Sequence, residues 1–420
     1  MTRTVWTGLI VLTAGVVGHG QQAPVPIGER LLRDVRVVAA LAAVEADEPR
    51  TTAEQIRLCE IPAPPFQEAD RGRVYREAFE ALGLLEVRVD AVGNVIGVRR
   101  GRGAGPRLVL AAHLDTVFPE GTDVRVTREG TVLRGPGIAD DCRGLAVLLA
   151  VARGLDQARI ETDGPITFVG TVGEEGLGDL RGVKHLLGTE LRGQVDLFVA
   201  VDGTGYGITN EAVGSHRYRV RIQGPGGHSY GNFGIPNPIH ALGRAIETIS
   251  RFDVPSRPKT TFSVGRVGGG ASVNAIAAEA WLEIDMRSSD AAALQALDTR
   301  FHRAVDAAVE SENARWGVDA LSVVMELVGD RPAGFTPRDA PIVETAVSVT
   351  RALGLPVSLG EGSTDANLAM SRRIPAIGVA AGGRGTGSHS LGETFETSEA
   401  WRGTQRLLLI AIALADEPDR

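Results

Sequence analysis

The stretch Leu108-Val-Leu-Ala-Ala-His113-Leu-Asp115-Thr-Val117 decides the fold of this chain. A run of five apolar residues reads as a fully buried strand. Residues at i and i+2 of a strand share a face, so His113 and Asp115 point the same way at its end. One can bind a metal ion while the other orients the second imidazole nitrogen, as a ligating histidine requires. Taken alone, the pair also fits a buried histidine satisfied by its aspartate.

Working outward, two further apolar runs end in acid. Pro165-Ile-Thr-Phe-Val-Gly-Thr-Val172 leads to Gly173-Glu174-Glu175-Gly176, and Val195-Asp-Leu-Phe-Val-Ala-Val201 leads to Asp202-Gly203. Ile374-Pro-Ala-Ile-Gly-Val379 runs through a glycine-rich loop to His389. Helical spacing covers 29–46, 52–59, 70–84, 142–155, 340–353 and 398–416, and short strands are expected at 86–90 and 94–98. Strands alternating with helices predict an α/β domain around a mostly parallel sheet, with its chemistry at the carboxyl edge of the strands. Between 215 and 330 the order changes to strand 216–223, helix 238–252, strands 260–267 and 280–287, helix 290–316 and strand 321–328. That βαββαβ order predicts an inserted ferredoxin-like α+β domain, leaving 24–214 and 331–420 as two parts of the first domain.

The 420 residues are 43% hydrophobic and 23% charged, which describes a globular chain too long for one ordinary core. A formal net charge of -8 argues against nucleic acid or an anionic membrane as partner. Residues 1–23 carry Arg3, an apolar run from Val5 to Val17 and a small, polar tail, the order of a secretory signal peptide. The run is shorter than the roughly 18 residues that span a bilayer, so the expectation is a secreted or periplasmic protein with no stable membrane insertion after cleavage. Cys59 and Cys142 are the two cysteines, and sequence leaves open whether they pair or stay free thiols.

His113, Asp140, Glu174, Glu175, Asp202 and His389 form a candidate site for a pair of divalent ions. Two such ions neutralise Asp140, Glu175 and Asp202, whereas buried carboxylates without partners are strongly unfavourable. Consecutive strand-end side chains diverge, so Glu175 is expected to bind metal and Glu174 to act as general base toward water. Asp140 bridges the ions, His113 and Asp202 complete one, and Glu175 and His389 complete the other. Mixed imidazole and carboxylate ligands suit Zn²⁺, with Co²⁺ or Mn²⁺ as alternatives.

These motifs, in the order His113-x-Asp115, Gly-x-Ala-Asp140-Asp141, Gly-Glu174-Glu175-Gly, Asp202-Gly and Ser388-His389-Ser, resemble the dinuclear zinc metallopeptidases of family M20. That family includes tripeptide aminopeptidases, dipeptidases, a glutamate-releasing carboxypeptidase and aminoacylases. The resemblance covers nearly the whole mature chain. It implies an exopeptidase or an N-acyl amino acid amidohydrolase, acting on short peptides or acylated amino acids. It also implies that 215–330 is a lid and homodimerisation domain. Aspartate at the position of Asp202 points toward aminopeptidases and dipeptidases. His228 in Gly224-Pro-Gly-Gly-His228-Ser229 is similar to the histidine that donates to the developing oxyanion, sometimes from a partner subunit; alone, the motif reads as a glycine-rich turn. Asn274 resembles a substrate-contacting lid residue. Arg331 resembles an arginine that clamps a substrate carboxylate, although a surface ion pair fits it equally. Asp365 is expected to be structural, and Arg287 to pair within the lid sheet. Two departures stand out. Cys142-Arg143 replaces the usual Lys-Gly, with Arg143 expected to restore the charge, and Asn274 lacks the usual following proline.

Overall fold

The computed structural model describes residues 25–416, so the expected signal segment lies outside the described residues. Among these residues no helix is long and apolar enough to cross a membrane.

A nine-stranded sheet forms the centre. Its middle strands, Ile166–Thr171, Leu108–His113, Leu197–Val201 and Ala376–Val379, run parallel to one another. Antiparallel strands Val95–Arg99 and Leu85–Val89 extend it on one side, and Gly207–Ala212 on the other. Alternation explains why the deciding stretch is apolar throughout. Leu108, Leu110 and Ala112 pack on the face covered by Val35–Ala46, Cys142–Gln157, Pro341–Ala352 and Trp401–Ala415. Val109 and Ala111 join Val183, Leu186 and Met370 on the other face. A strand covered on both sides has no polar face to show.

The expected helix over 29–46 is two helices, Ile27–Leu31 and Val35–Ala46. Asp34 restarts the chain by accepting the Arg36 backbone N–H at 2.8 Å, the role of an N-cap.

A second, four-stranded antiparallel sheet runs in the order Thr260–Gly269, Glu279–Ser288, Gly214–Gln223, Ser322–Arg331. Helices Pro238–Ser250 and Ala291–Trp316 cover one face, where Val220, Ile222, Leu282 and Ile284 meet Leu242, Leu294 and Phe301. The opposite face is charged: Arg217 stands across from Asp285, and Arg219 across from Glu283. A period of two places apolar side chains under the helices and turns the arginines away from them.

A small sheet of three-residue strands, Thr127–Glu129, Val132–Arg134, Arg384–Thr386 and Thr394–Glu396, goes beyond the sequence reading. It brings the loop before Asp140 against the loop that carries His389.

Candidate active site and metal centre

His113 ends its strand with its backbone N–H donating to Asp141 at 3.1 Å. Asp141 also accepts the Gly144 N–H at 3.1 Å, capping the Cys142–Gln157 helix. The His113 ring is held at both nitrogens: Nδ1 lies 3.0 Å from the Asp115 carbonyl and Nε2 lies 3.0 Å from Asp140 Oδ1. The ring's hydrogen bond at Nδ1 goes to the Asp115 carbonyl, and the Asp115 carboxylate that the spacing suggested stands 3.8 Å from the same nitrogen. That carboxylate faces the neighbouring strand end, where it accepts the backbone N–H groups of Glu174 at 2.9 Å and Glu175 at 2.8 Å.

Asp140 lies between the two imidazoles, its Oδ2 3.2 Å from His389 Nε2. Glu175 Oε1 is 2.9 Å from the same nitrogen. Ligand atoms of His113, Asp140 and Asp202 fall within 4.8 Å of one another, and so do those of Asp140, Glu175 and His389. The structure therefore brings five widely separated residues into two groups that share Asp140. That donor set, two imidazoles and three carboxylates, fits a pair of divalent ions.

Electrostatics show how tightly the groups are coupled. Burial pushes the Asp140 carboxyl up, but hydrogen bonds from His113 and His389 override it and hold the group well below the usual carboxylate range. Burial, and then the charge of Asp140, lifts Asp202 to about 7. Hydrogen bonds to Asp140 and Glu175 lift His389 to about 10.

Glu174 stays close to Glu175, against the divergence expected of strand-end neighbours. Its carboxylate lies within 4.8 Å of ligand atoms of His113 and Glu175, but it is taken by Arg331, 3.0 Å away. Burial raises the Glu174 carboxyl well above its ordinary value against the opposing charge of Arg331. Arg331 also donates to the Glu174 backbone carbonyl and, at 3.2 Å, to Ser363 Oγ. At 4% exposure it is a buried partner of Glu174, which corrects the surface-pair expectation, and it also lines the cleft.

His228 and Asn274 come together with each other but not with the ligands. A short ribbon pairs His228 with Ala275, and Ser229 N–H donates to the Asn274 carbonyl at 3.0 Å. Both residues are exposed, and neither lines the cleft. His228 Nδ1 instead accepts the Tyr230 and Gly231 N–H groups, each at 3.2 Å.

Several participants had no clear sequence signal. Glu393 is wholly buried and accepts three backbone N–H groups, from Gly137 at 3.1 Å, Ala139 at 2.8 Å and Asp140 at 3.0 Å. It ties the His389 loop to the Asp140 loop, and its only trace in sequence is an acid four residues after His389. The cleft of about 300 Å³ is lined by Asp140, Glu174, Glu175, Asp202 and His389, and also by Arg217 and Arg287 from the charged lid face. Arg217 donates to the Gly176 carbonyl at 2.8 Å, and its Nε lies 2.9 Å from Asp285. Arg287 pairs with Asp285 at 2.7 Å, as expected, while facing the cleft as well. Beyond Gly176, Asp179 accepts from the Lys184 ammonium at 2.6 Å and from the Asp330 backbone N–H at 2.8 Å, and Lys184 reaches the Asp330 carbonyl at 2.8 Å. Asp365 is buried behind the site, accepts from Thr171 Oγ1 at 2.5 Å and is lifted by burial to about 6. Arg143 points away from the ligands: it is buried on Glu48 at 2.7 Å and stacks over Phe395, so it adds no charge to the site. Cys59 and Cys142 are free and buried.

The chain is similar to several known proteins. A LysW-lysine/LysW-ornithine hydrolase of Pyrococcus abyssi is 28% identical over 347 residues, covering 80% of this chain and 85% of that protein. A succinyl-diaminopimelate desuccinylase of Corynebacterium glutamicum is 28% identical over 197 residues, 47% of this chain and about half (53%) of the relative. Among solved structures, a tripeptidase of Staphylococcus aureus subsp. aureus mu50 superposes with a TM-score of 0.73 at 24% identity, over 88% of this chain and 98% of its own. The family model for peptidase family M20/M25/M40 matches residues 109–413, and the chain belongs to that family.

Proposed function

We propose that this hydrolase is a metal-dependent exopeptidase that releases amino acids from di- and tripeptides. One observation carries the reading: Glu174 stands beside two ligand groups that share Asp140, at the wall of a cleft sized for a small substrate. Two divalent ions, Zn²⁺ in first place, supply Lewis acidity there and make water acidic near neutral pH. His113 and Asp202 would hold one ion, Glu175 and His389 the other, and Asp140 would be shared between them. Glu174 Oε accepts the proton of the attacking water and passes it to the leaving amine nitrogen. Asp115 holds the Glu174 backbone N–H, and Arg331 pairs with the Glu174 carboxylate. In this reading 24–214 and 331–420 form the catalytic unit and 215–330 the lid. The order of residues in 1–23 supports work outside the cytoplasm.

The lid also supports a homodimer. Strand Thr260–Gly269 is an unpaired sheet edge, and Tyr230, Phe233 and Val273 stand exposed beside the His228 ribbon. A second subunit docked on that edge would supply His228, and Asn274 with it, to the cleft of the first.

The names of the Pyrococcus and Corynebacterium relatives, a LysW-lysine/LysW-ornithine hydrolase and a succinyl-diaminopimelate desuccinylase, favour one alternative, an N-acyl amino acid amidohydrolase. Turnover of tri-alanine, compared with N-acetyl amino acids, by the metal-loaded protein separates the two, and cleavage of the acylated compounds alone would overturn the peptidase reading. Glu174→Ala is expected to keep its metal and lose roughly 10²–10⁴-fold in kcat, so retained turnover removes it as the base.

A further inference from the structure

We propose that the catalytic cleft opens into a side chamber that binds an acidic group of the substrate, remote from the scissile bond. The inference rests on the hydrolase reading above and adds a substrate class to it.

The chamber has a volume of about 310 Å³ and shares two wall residues, Arg287 and Ser363, with the cleft. A substrate seated at the ligands can therefore extend past those residues. Arg287 spends its Nε on Asp285 at 2.7 Å, while its terminal nitrogens donate to no group among the described residues. At the far end stand Lys259, just before the lid edge strand, and Glu361, in strand Ser358–Gly362 of the central sheet. Their charged atoms are 3.5 Å apart, with the side chains 68% and 36% exposed. An ion pair so open to water contributes little, so an incoming carboxylate can replace Glu361 on Lys259 at small cost. Two cations face one carboxylate, and the chamber is left with a positive balance. A guanidinium with free terminal N–H groups on one side and an ammonium on the other suit a carboxylate oxygen pair. A neutral amide of the same shape gains neither charge-assisted contact. Peptides or acylated amino acids bearing a glutamyl, aspartyl or similar acidic group are the class that fits.

The test compares isosteric substrates that differ only in charge, Glu-Ala with Gln-Ala and Ala-Glu with Ala-Gln, on the metal-loaded wild type and on Lys259→Met. In at least one pair the wild type is expected to prefer the acidic member, and Lys259→Met to lower that kcat/KM ratio by about tenfold, chiefly through KM. Glu361→Gln, which removes the competing carboxylate, is expected to raise the ratio. Unchanged ratios in Lys259→Met would overturn the chamber while leaving the peptidase reading intact. Should the wild type turn over none of the four, the peptidase reading falls, and succinate titrated calorimetrically into both proteins still decides: weaker binding by Lys259→Met supports the chamber, and equal binding overturns it.

Discussion

Glu393 shows how a residue that touches no substrate governs those that do. Both of its oxygens are saturated by backbone N–H groups around Asp140, and its own segment carries His389, so one carboxylate fixes the relative position of ligands 249 residues apart in sequence, 140 to 389. Replacing Glu393 by Gln puts an amide donor where an acceptor is needed. We expect Glu393→Gln to weaken metal binding by about 10- to 100-fold, measured by chelator competition, with an unchanged circular dichroism spectrum. Wild-type affinity in that variant would show that the two loops hold themselves. Of the candidate ligands, His113, Glu175 and Asp202 were legible because each ends or follows an apolar run, where a parallel sheet collects its polar groups, while Asp140 and His389 were found by their place in ordered motifs. Glu393 and Arg331 were not, because what each side chain meets is decided by a loop or strand from a distant part of the chain. The role given to the Asp115 carboxylate was legible in part for the same reason: spacing placed it 3.8 Å from His113 Nδ1, but the N–H groups it captures belong to the next strand.

Elements made of long apolar runs were read from sequence almost to the residue, because burial on both faces leaves one period of composition and no ambiguity. Strands of three residues, such as Val132–Arg134 and Arg384–Thr386, carry too few side chains to show a period and went unread. Helix Cys142–Gln157 illustrates a different limit. Its pattern announced a buried helix, yet Arg143 within it was assigned to the metal side. The structure turns that guanidinium toward Glu48, with further donations to the Ala400 carbonyl at 2.9 Å and Thr404 at 3.4 Å. A wholly buried cation must find such partners or neutralise, and Glu48 at 8% exposure is the one charge within reach. Arg143→Ala leaves Glu48 buried and unpaired, with an expected loss of about 3–5 kcal/mol of unfolding free energy in a denaturant titration. The double change Arg143→Met with Glu48→Leu is expected to recover much of it. If the double variant is no more stable than the single one, the ion pair is not what holds this helix against Glu48–Cys59.

At the scale of the whole molecule, the lid brings charge to the cleft in cis and withholds His228. The fold class was legible because the period changes from buried runs to alternation at the insertion. The partition of lid residues between a chain's own cleft and its surface was not, since it depends on how the second sheet leans over the first. If His228 serves a partner's cleft, subunit mixing reveals it. Glu174→Ala and His228→Ala, each inactive alone, are expected to regain turnover when unfolded together and refolded into mixed dimers. Mixed dimers that stay inactive, with their composition verified by native mass spectrometry, would exclude service in trans.

The segment from Glu174 to Asp179 is stitched to the second sheet at three points: Arg331 to Glu174, Arg217 to Gly176, and Asp330 with Lys184 to Asp179. Were that sheet to swing outward, it would pull on Glu174, the proposed proton acceptor. On the proposed mechanism, an ajar molecule would be a disarmed one, and stray water entering during product escape would meet no competent catalyst.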